Sequence, residues 1–115
     1  MRCFLLLAAF LLTAAPAFAD VRDDARKKVD FGIMVAQKGL WREAIFHWER
    51  AAEIDPTYAA AHNNLGIGYE HQGDLGKARV SYEIALKLDP NNQLIKQNYE
   101  LFREINDRTT RSNAQ

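Results

Sequence analysis

Apolar positions in this chain fall at helical intervals, and they do so twice with the same layout. Val29, Phe31, Gly32 and Val35 share one helical side, and Gly39 interrupts the run. Trp41, Ala44, Ile45, Trp48, Ala51 and Ala52 then follow at i, i+3, i+4, i+7, i+10 and i+11, the stripe of an amphipathic helix. Asp55-Pro56 stops that helix, because the residue before a proline is pushed out of the α region. The pattern then restarts: Leu65, Gly66 and Tyr69, a break at Gly73, the stripe Leu75, Ala78, Tyr82, Ala85, Leu86 and Leu88, and a stop at Asp89-Pro90. Ala25, Gly32, Ile33, Gly39, Ala44, Glu49, Ala51, Asp55 and Pro56 recur 34 residues on as Ala59, Gly66, Ile67, Gly73, Ala78, Glu83, Ala85, Asp89 and Pro90. A fixed period of this length predicts helical hairpins that stack on one another, since one hairpin cannot bury its apolar side alone.

The small residues inside the pattern predict where helices approach. Gly32 and Gly66 leave room on the first helix of each hairpin, Ala44 and Ala78 do so on the second, and Trp48 and Tyr82 fill the remaining space. Gly39 and Gly73 supply the left-handed residue that ends a helix. After the second hairpin, Asn91 or Asn92 can cap a further helix over 93–107. In the 34-residue register Glu100 falls where Gly32 and Gly66 stand, and Arg103 where Val35 and Tyr69 stand. Charges at these positions predict a terminal capping helix with no paired helix after it, the polar end that a repeat stack needs for solubility. Residues 109–115 are polar and read as a disordered tail.

Leu65, Gly66, Tyr69, Ala78, Tyr82, Ala85 and Pro90 sit at the spacing of the tetratricopeptide signature, and Phe31, Gly32, Val35, Ala44, Trp48, Ala51 and Pro56 follow it more loosely. The chain therefore resembles the tetratricopeptide-repeat family over residues 25–92, with repeat one at about 25–58 and repeat two at about 59–92. Lys28 and His62 depart from the signature, standing where the family usually places a large apolar residue. The resemblance implies an all-α fold of helical hairpins in a right-handed superhelical stack. It also implies a role in binding other proteins rather than in catalysis.

The start of the chain reads differently. Met1-Arg2, the unbroken apolar run Phe4 to Leu12, Pro16 and the small residues of Ala17-Phe18-Ala19 together predict a secretory signal peptide over residues 1–19. The apolar run is too short to cross a bilayer of roughly 30 Å as a helix. Cleavage would leave a domain over residues 20–108 plus the tail, exported to the periplasm or secreted. No membrane insertion is expected after cleavage. Cys3, the one cysteine, precedes the apolar run, so the processed chain would lack any thiol and would rest on helix packing alone. Fourteen Lys and Arg would then face fifteen Asp and Glu. That balance argues against nucleic acid or anionic lipid as a partner.

In the resembling family the first helix of each repeat lines a concave groove. Aligned across the three units, Ile33, Ile67 and Leu101 form an apolar row, flanked by Val29, Asn63 and Gln97 and by Asp30, Asn64 and Asn98. Gln37 and His71 stand at the far end. Val29, Ile33, Gln37, Asn63, Asn64, Ile67, His71, Gln97 and Leu101 are the expected partner-binding residues. An apolar ridge beside amides suits a peptide segment, since the ridge buries apolar side chains and the amides pair with backbone. The carboxylate clamp of Hsp90-binding co-chaperones is not expected: of Val29, Ile33, Asn64, Leu94 and Asn98 at its positions, only Asn64 matches.

No catalytic, cofactor or metal site is expected. His47, His62 and His71 have no metal-ligand spacing, and Gly66-Ile67-Gly68 lies within a predicted helix rather than in a phosphate loop. Arg79, Glu83 and Lys87 read as a solvated helix face. The expected function is an exported, non-catalytic adaptor or assembly scaffold that holds a peptide segment of an envelope or secretion partner. The alternative is a structural subunit that forms a homo-oligomer through the capping helix, whose Leu94, Ile95, Tyr99, Leu101, Phe102 and Ile105 exceed what one packed seam needs. A carrier of small molecules fits less well, because the groove lacks convergent polar groups.

Overall fold

The computed structural model describes residues 15–115, with side chains from Asp20 onward. Among the described residues there are five helices and no strand: α1 (Ala15–Gln37), α2 (Trp41–Ile54), α3 (Ala59–His71), α4 (Leu75–Leu88) and α5 (Gln93–Asn113). Helices α1 and α2 form the first hairpin, α3 and α4 the second, and α5 packs on the second as a single helix.

Each boundary has a local cause. Gly39 and Gly73 take φ of 78° and 76°, the left-handed turn that side chains disfavour. Asp55 and Asp89 are extended, as a following proline requires. Asp74 caps α4 by accepting from the Lys77 amide at 3.2 Å, and Asn92 caps α5 by accepting from the Ile95 amide at 3.2 Å.

The helices meet where the pattern lacks side chains. A Cβ at Gly66 would lie 2.7 Å from the Tyr82 ring, and one at Gly32 would run into the Trp48 indole. Gly68 performs the same service between hairpins, where a Cβ would lie 2.6 Å from Ile45 Cγ1 and 3.0 Å from the Trp48 ring. Two apolar clusters result. The larger joins Ala25, Val29, Ala44, Ile45, Trp48 and Ala51 of the first hairpin to Ala61 and Leu65 of the second. The other joins Ala78 and Tyr82 to Phe102 of α5. His62 does not replace the missing large apolar residue; its Nε2 sits 3.0 Å from the Pro56 carbonyl, and Lys28 is exposed.

Two elements are longer than the pattern predicts. Helix α1 begins ten residues before the repeat, at Ala15, with position 16 in its first turn, where a proline loses no intrahelical bond. The predicted signal peptide otherwise falls on residues 1–14, outside the described residues. Helix α5 runs on to Asn113, so the predicted break near 107 and the disordered tail over 109–115 are corrected. No glycine or proline stops it. Arg108 pairs with Glu104, and the Thr109 and Thr110 hydroxyls donate to the carbonyls one turn back.

The early part of α1 is tied down by one residue. Arg22 Nε donates to Asp55 Oδ2 at 2.5 Å, its Nη2 donates to Thr57 Oγ1 at 3.2 Å, and the guanidinium lies over the Tyr58 ring. Burial raises the Asp55 pKa. The Arg22 hydrogen bond, the Thr57 hydroxyl and amide, and the Arg22 charge outweigh it, so the carboxyl sits below its ordinary value. A depressed folded pKa means that ionised Asp55 stabilises the fold above the unfolded carboxylate value of about 3.9. That contribution fades as pH falls through the lower folded value. Arg22→Ala is expected to melt lower than the parent at pH 7, with the gap closing as pH falls toward 3. A gap independent of pH in thermal melts would contradict this origin.

Candidate functional site

The first helices of the hairpins, α1 and α3, and then α5 present one continuous side, and three depressions lie along it. The most apolar, about 240 Å³, lies between α1, α2 and α3. Ile33, Gln37, Asn64 and Ile67 line it, together with Ala36, Trp41 and the edge of Trp48. Ile33 reaches it because α1 is clamped at both ends, by Arg22 on the α2–α3 loop and by Gly32 on Trp48. Ile33 is 37% exposed although large and apolar. The Asn64 amide donates back to the Ala60 carbonyl at 2.7 Å, which leaves its side-chain oxygen outside that bond.

Trp41, on the wall of this pocket, belongs to an aromatic pair. The Trp41 indole stacks on the His71 imidazole with centroids 3.6 Å apart and planes 8° apart. His71 is thus exposed yet held, not merely a solvated helix end.

A second depression, about 480 Å³ and more polar, lies at the start of α3 and α5, where Arg22, Asn64, Asp89 and Asn92 face it. A third, about 370 Å³, lies between α3, α4 and α5 and is lined by Glu70, His71, Leu75, Phe102, Ile105, Asn106 and Thr109. Glu70 is oriented there by Tyr82, whose hydroxyl donates to Glu70 Oε2 at 3.0 Å. Burial and this carboxylate raise the Tyr82 pKa, so the phenol stays protonated and keeps donating at any working pH. Tyr69 is raised for the same reasons, by burial and by Glu49.

Of the nine residues expected in the groove, Ile33, Gln37, Asn64 and Ile67 meet at one pocket, while His71 stacks on Trp41 of its wall and lines the third depression. Gln97 and Leu101 are exposed farther along on α5, with Leu101 58% exposed. Two placements are corrected. Val29 is 3% exposed; its side chain belongs to the first core cluster, because this side of α1 faces α2, and its carbonyl accepts from Trp48 Nε1 at 3.1 Å. Asn63 is 6% exposed, and its Oδ1 accepts from Asn98 Nδ2 at 3.1 Å, so it joins α3 to α5 instead of waiting for a partner. Trp41, Leu75 and Ile105 were not among the expected lining residues. Their signal was available in the register, since Trp41 and Leu75 open α2 and α4 at equivalent positions and Ile105 falls 34 residues after His71.

Among the described residues no cluster of three or more His, Cys, Asp or Glu could hold a metal ion, and no helix is long and apolar enough to cross a membrane. His47 Nδ1 is buried without a partner between Phe31 and Phe46, whose rings meet the imidazole edge-on.

Stacked hairpins with depressions along their first helices define a helical-repeat protein. Family models confirm the kind of repeat: one described as tetratricopeptide repeat matches residues 59–92, and one described as TPR repeat matches residues 34–73. The chain belongs to the tetratricopeptide-repeat family, whose repeats generally mediate protein–protein interaction. It is similar to a protein O-mannosyl-transferase of Caenorhabditis elegans, with 31% identity over 78% of this chain and 13% of that protein. It is similar to a chloroplastic tetratricopeptide repeat domain-containing protein of Arabidopsis thaliana, with 31% identity over 67% of this chain and 26% of the relative. The Hsp70-Hsp90 organizing protein of Triticum aestivum shares 32% identity over 49% of this chain and 10% of its own length. The chain thus spans 10–26% of the length of these relatives, and what their names say of transfer or organisation belongs to them.

Proposed function

We propose that this protein is a non-catalytic adaptor that binds a peptide segment of an envelope or secretion partner along the inner side of α1, α3 and α5. The observation that carries the reading is the pair Ile33 and Ile67. They are identical, one repeat apart, and both line the same apolar pocket, Ile67 while also packing against the second core cluster. Large apolar side chains left on a shaped surface mark an interaction site. The neighbouring helices of such a stack lie about 8–10 Å apart. A peptide can meet that spacing with apolar residues seven apart in a helix or three apart in an extended strand.

The partner differs from the peptides held by carboxylate clamps. Val29 and Ile33 stand at two of the clamp positions and bring no charge or amide. Export to the periplasm or beyond is part of the proposal. It rests on the signal-like residues 1–19 and on the acidic residues Asp20, Asp23 and Asp24, which would open α1 after cleavage and favour its positive end. N-terminal sequencing of the chain from its cell is expected to start at Asp20.

Ile67→Glu is expected to abolish partner binding while the melting temperature stays within a few degrees of the parent, because Ile67 is only partly buried. Isothermal titration with the partner segment, beside thermal melts, checks both halves. Unchanged affinity would reject the groove. A second reading, self-association through α5, is favoured by the exposure of Leu94, Leu101 and Ile105 on that helix. A monomer in light scattering at micromolar concentration would reject it.

A further inference from the structure

The two junctions of the stack differ, and the difference leaves a vacancy whose shape the chain itself defines. In the 34-residue register Trp41 corresponds to Leu75, His71 to Ile105, and Gly68 to Phe102. At the first junction Gly68 lets α3 lie close on Ile45 and Trp48, and the Trp41 indole stacks on His71 to fill the corner. At the second junction Phe102 takes the glycine's place and wedges against Tyr82, with ring centroids 5.5 Å apart. Leu75 and Ile105 are both exposed, and both line the 370 Å³ pocket. The continued helix past residue 107 adds Thr109 to its wall. The corner that holds an indole at one junction is apolar and open at the next. Glu70 is the only carboxylate on its lining, aimed by the Tyr82 hydroxyl.

Resting on the proposed groove, we infer that this second corner is the anchor pocket for the partner: it takes a large aromatic side chain, an indole above all, carried beside a basic residue. Leu75, Phe102 and Ile105 cover the ring, at the corner where His71 covers the Trp41 indole in the first junction. Glu70 meets the neighbouring Lys or Arg. Ile67 stands one helical turn before His71 on α3, and Leu101 one turn before Ile105 on α5, so a peptide along the apolar row would pass this pocket.

The test uses small probes and the purified full chain labelled for NMR. N-acetyltryptophanamide is expected to move the signals of Leu75, Phe102, Ile105 and Thr109 with millimolar saturation, and N-acetylalaninamide to move none. Acetyl-Lys-Trp-amide is expected to bind about threefold or more tightly than acetyl-Glu-Trp-amide at low salt, the scale of one exposed charge pair. The double variant Leu75→Trp with Ile105→His copies the Trp41–His71 stack and fills the corner from within. It is expected to weaken the indole probe about tenfold or more and to melt no lower than the parent. Ile105→Lys, at an exposed site, provides a second variant with the same expected loss. Full affinity in either folded variant, or no shifts in the parent, would overturn the inference. Shifts gathered at Ile33, Trp41 and Ile67 would overturn this pocket while leaving the groove standing, and the Ile67→Glu titration judges the groove separately.

Discussion

Trp48→Ala is expected to lower the unfolding free energy by about 3–5 kcal/mol and to dissolve both hairpins in one transition. Trp48 is 1% exposed and touches three helices at once. Gly32 of α1 lies against its indole, Gly68 of α3 lies against the far edge of its ring, and its Nε1 donates to the Val29 carbonyl. Truncation would therefore leave a cavity bounded by two glycines that have no side chain to move into it. The hydrogen bond would go as well. Small domains have roughly 5–15 kcal/mol in total, so this loss removes a large part of the fold's stability. Urea unfolding followed by helical circular dichroism checks it. A loss under about 1 kcal/mol would mean that the two hairpins are not joined through this ring.

Phe102→Ala is expected to cost a similar amount, about 3–5 kcal/mol, but to spend it in one place. Phe102 is buried in the cluster of Tyr82 and Ala78, with the Arg79 guanidinium over its face and Tyr99 beside it. It is the main apolar tie between α5 and the repeats, helped by Ile95 and by the Tyr99 hydroxyl, which donates to Glu83 at 2.8 Å. Repeat stacks hold together through neighbouring units only. Loss of this tie should free α5 first and leave the first hairpin protected. Hydrogen exchange is the readout: fast exchange over α5 with slow exchange kept at Ala44 to Ala51. Equal loss across all five helices would show that the cap and the repeats form one indivisible unit.

The repeats were legible in the sequence because their packing rests on pairs that the period repeats: Gly32 with Trp48, and Gly66 with Tyr82. A small residue opposite a large one, 34 residues apart from the same pair, leaves few other arrangements. The end of α5 was not legible. Its last residues are polar and make no core contact, so composition suggested a tail, whereas the absence of a breaker and the local Arg108, Thr109 and Thr110 bonds keep the helix going. Val29 and Asn63 were misplaced for a different reason. The rows put them on the inner side, but a rotation of less than a quarter turn decides between solvent and seam. Here the close approach at Gly32 and the Asn63–Asn98 bond turn them inward. The second-junction pocket depends on the distance between helices. The register shows that Phe102 replaces Gly68, but only the fold shows the pocket that Leu75, Phe102 and Ile105 then line.

The central claim is that Ile33 and Ile67 form the working surface, and photocrosslinking from position 67 in the source cell tests it most directly. The expected result is one distinct second protein, joined through a single segment, and lost when Ile33→Glu is introduced beside the crosslinker. Crosslinks confined to other copies of this chain, or a partner indifferent to Ile33→Glu, would contradict the groove as the surface through which this protein acts.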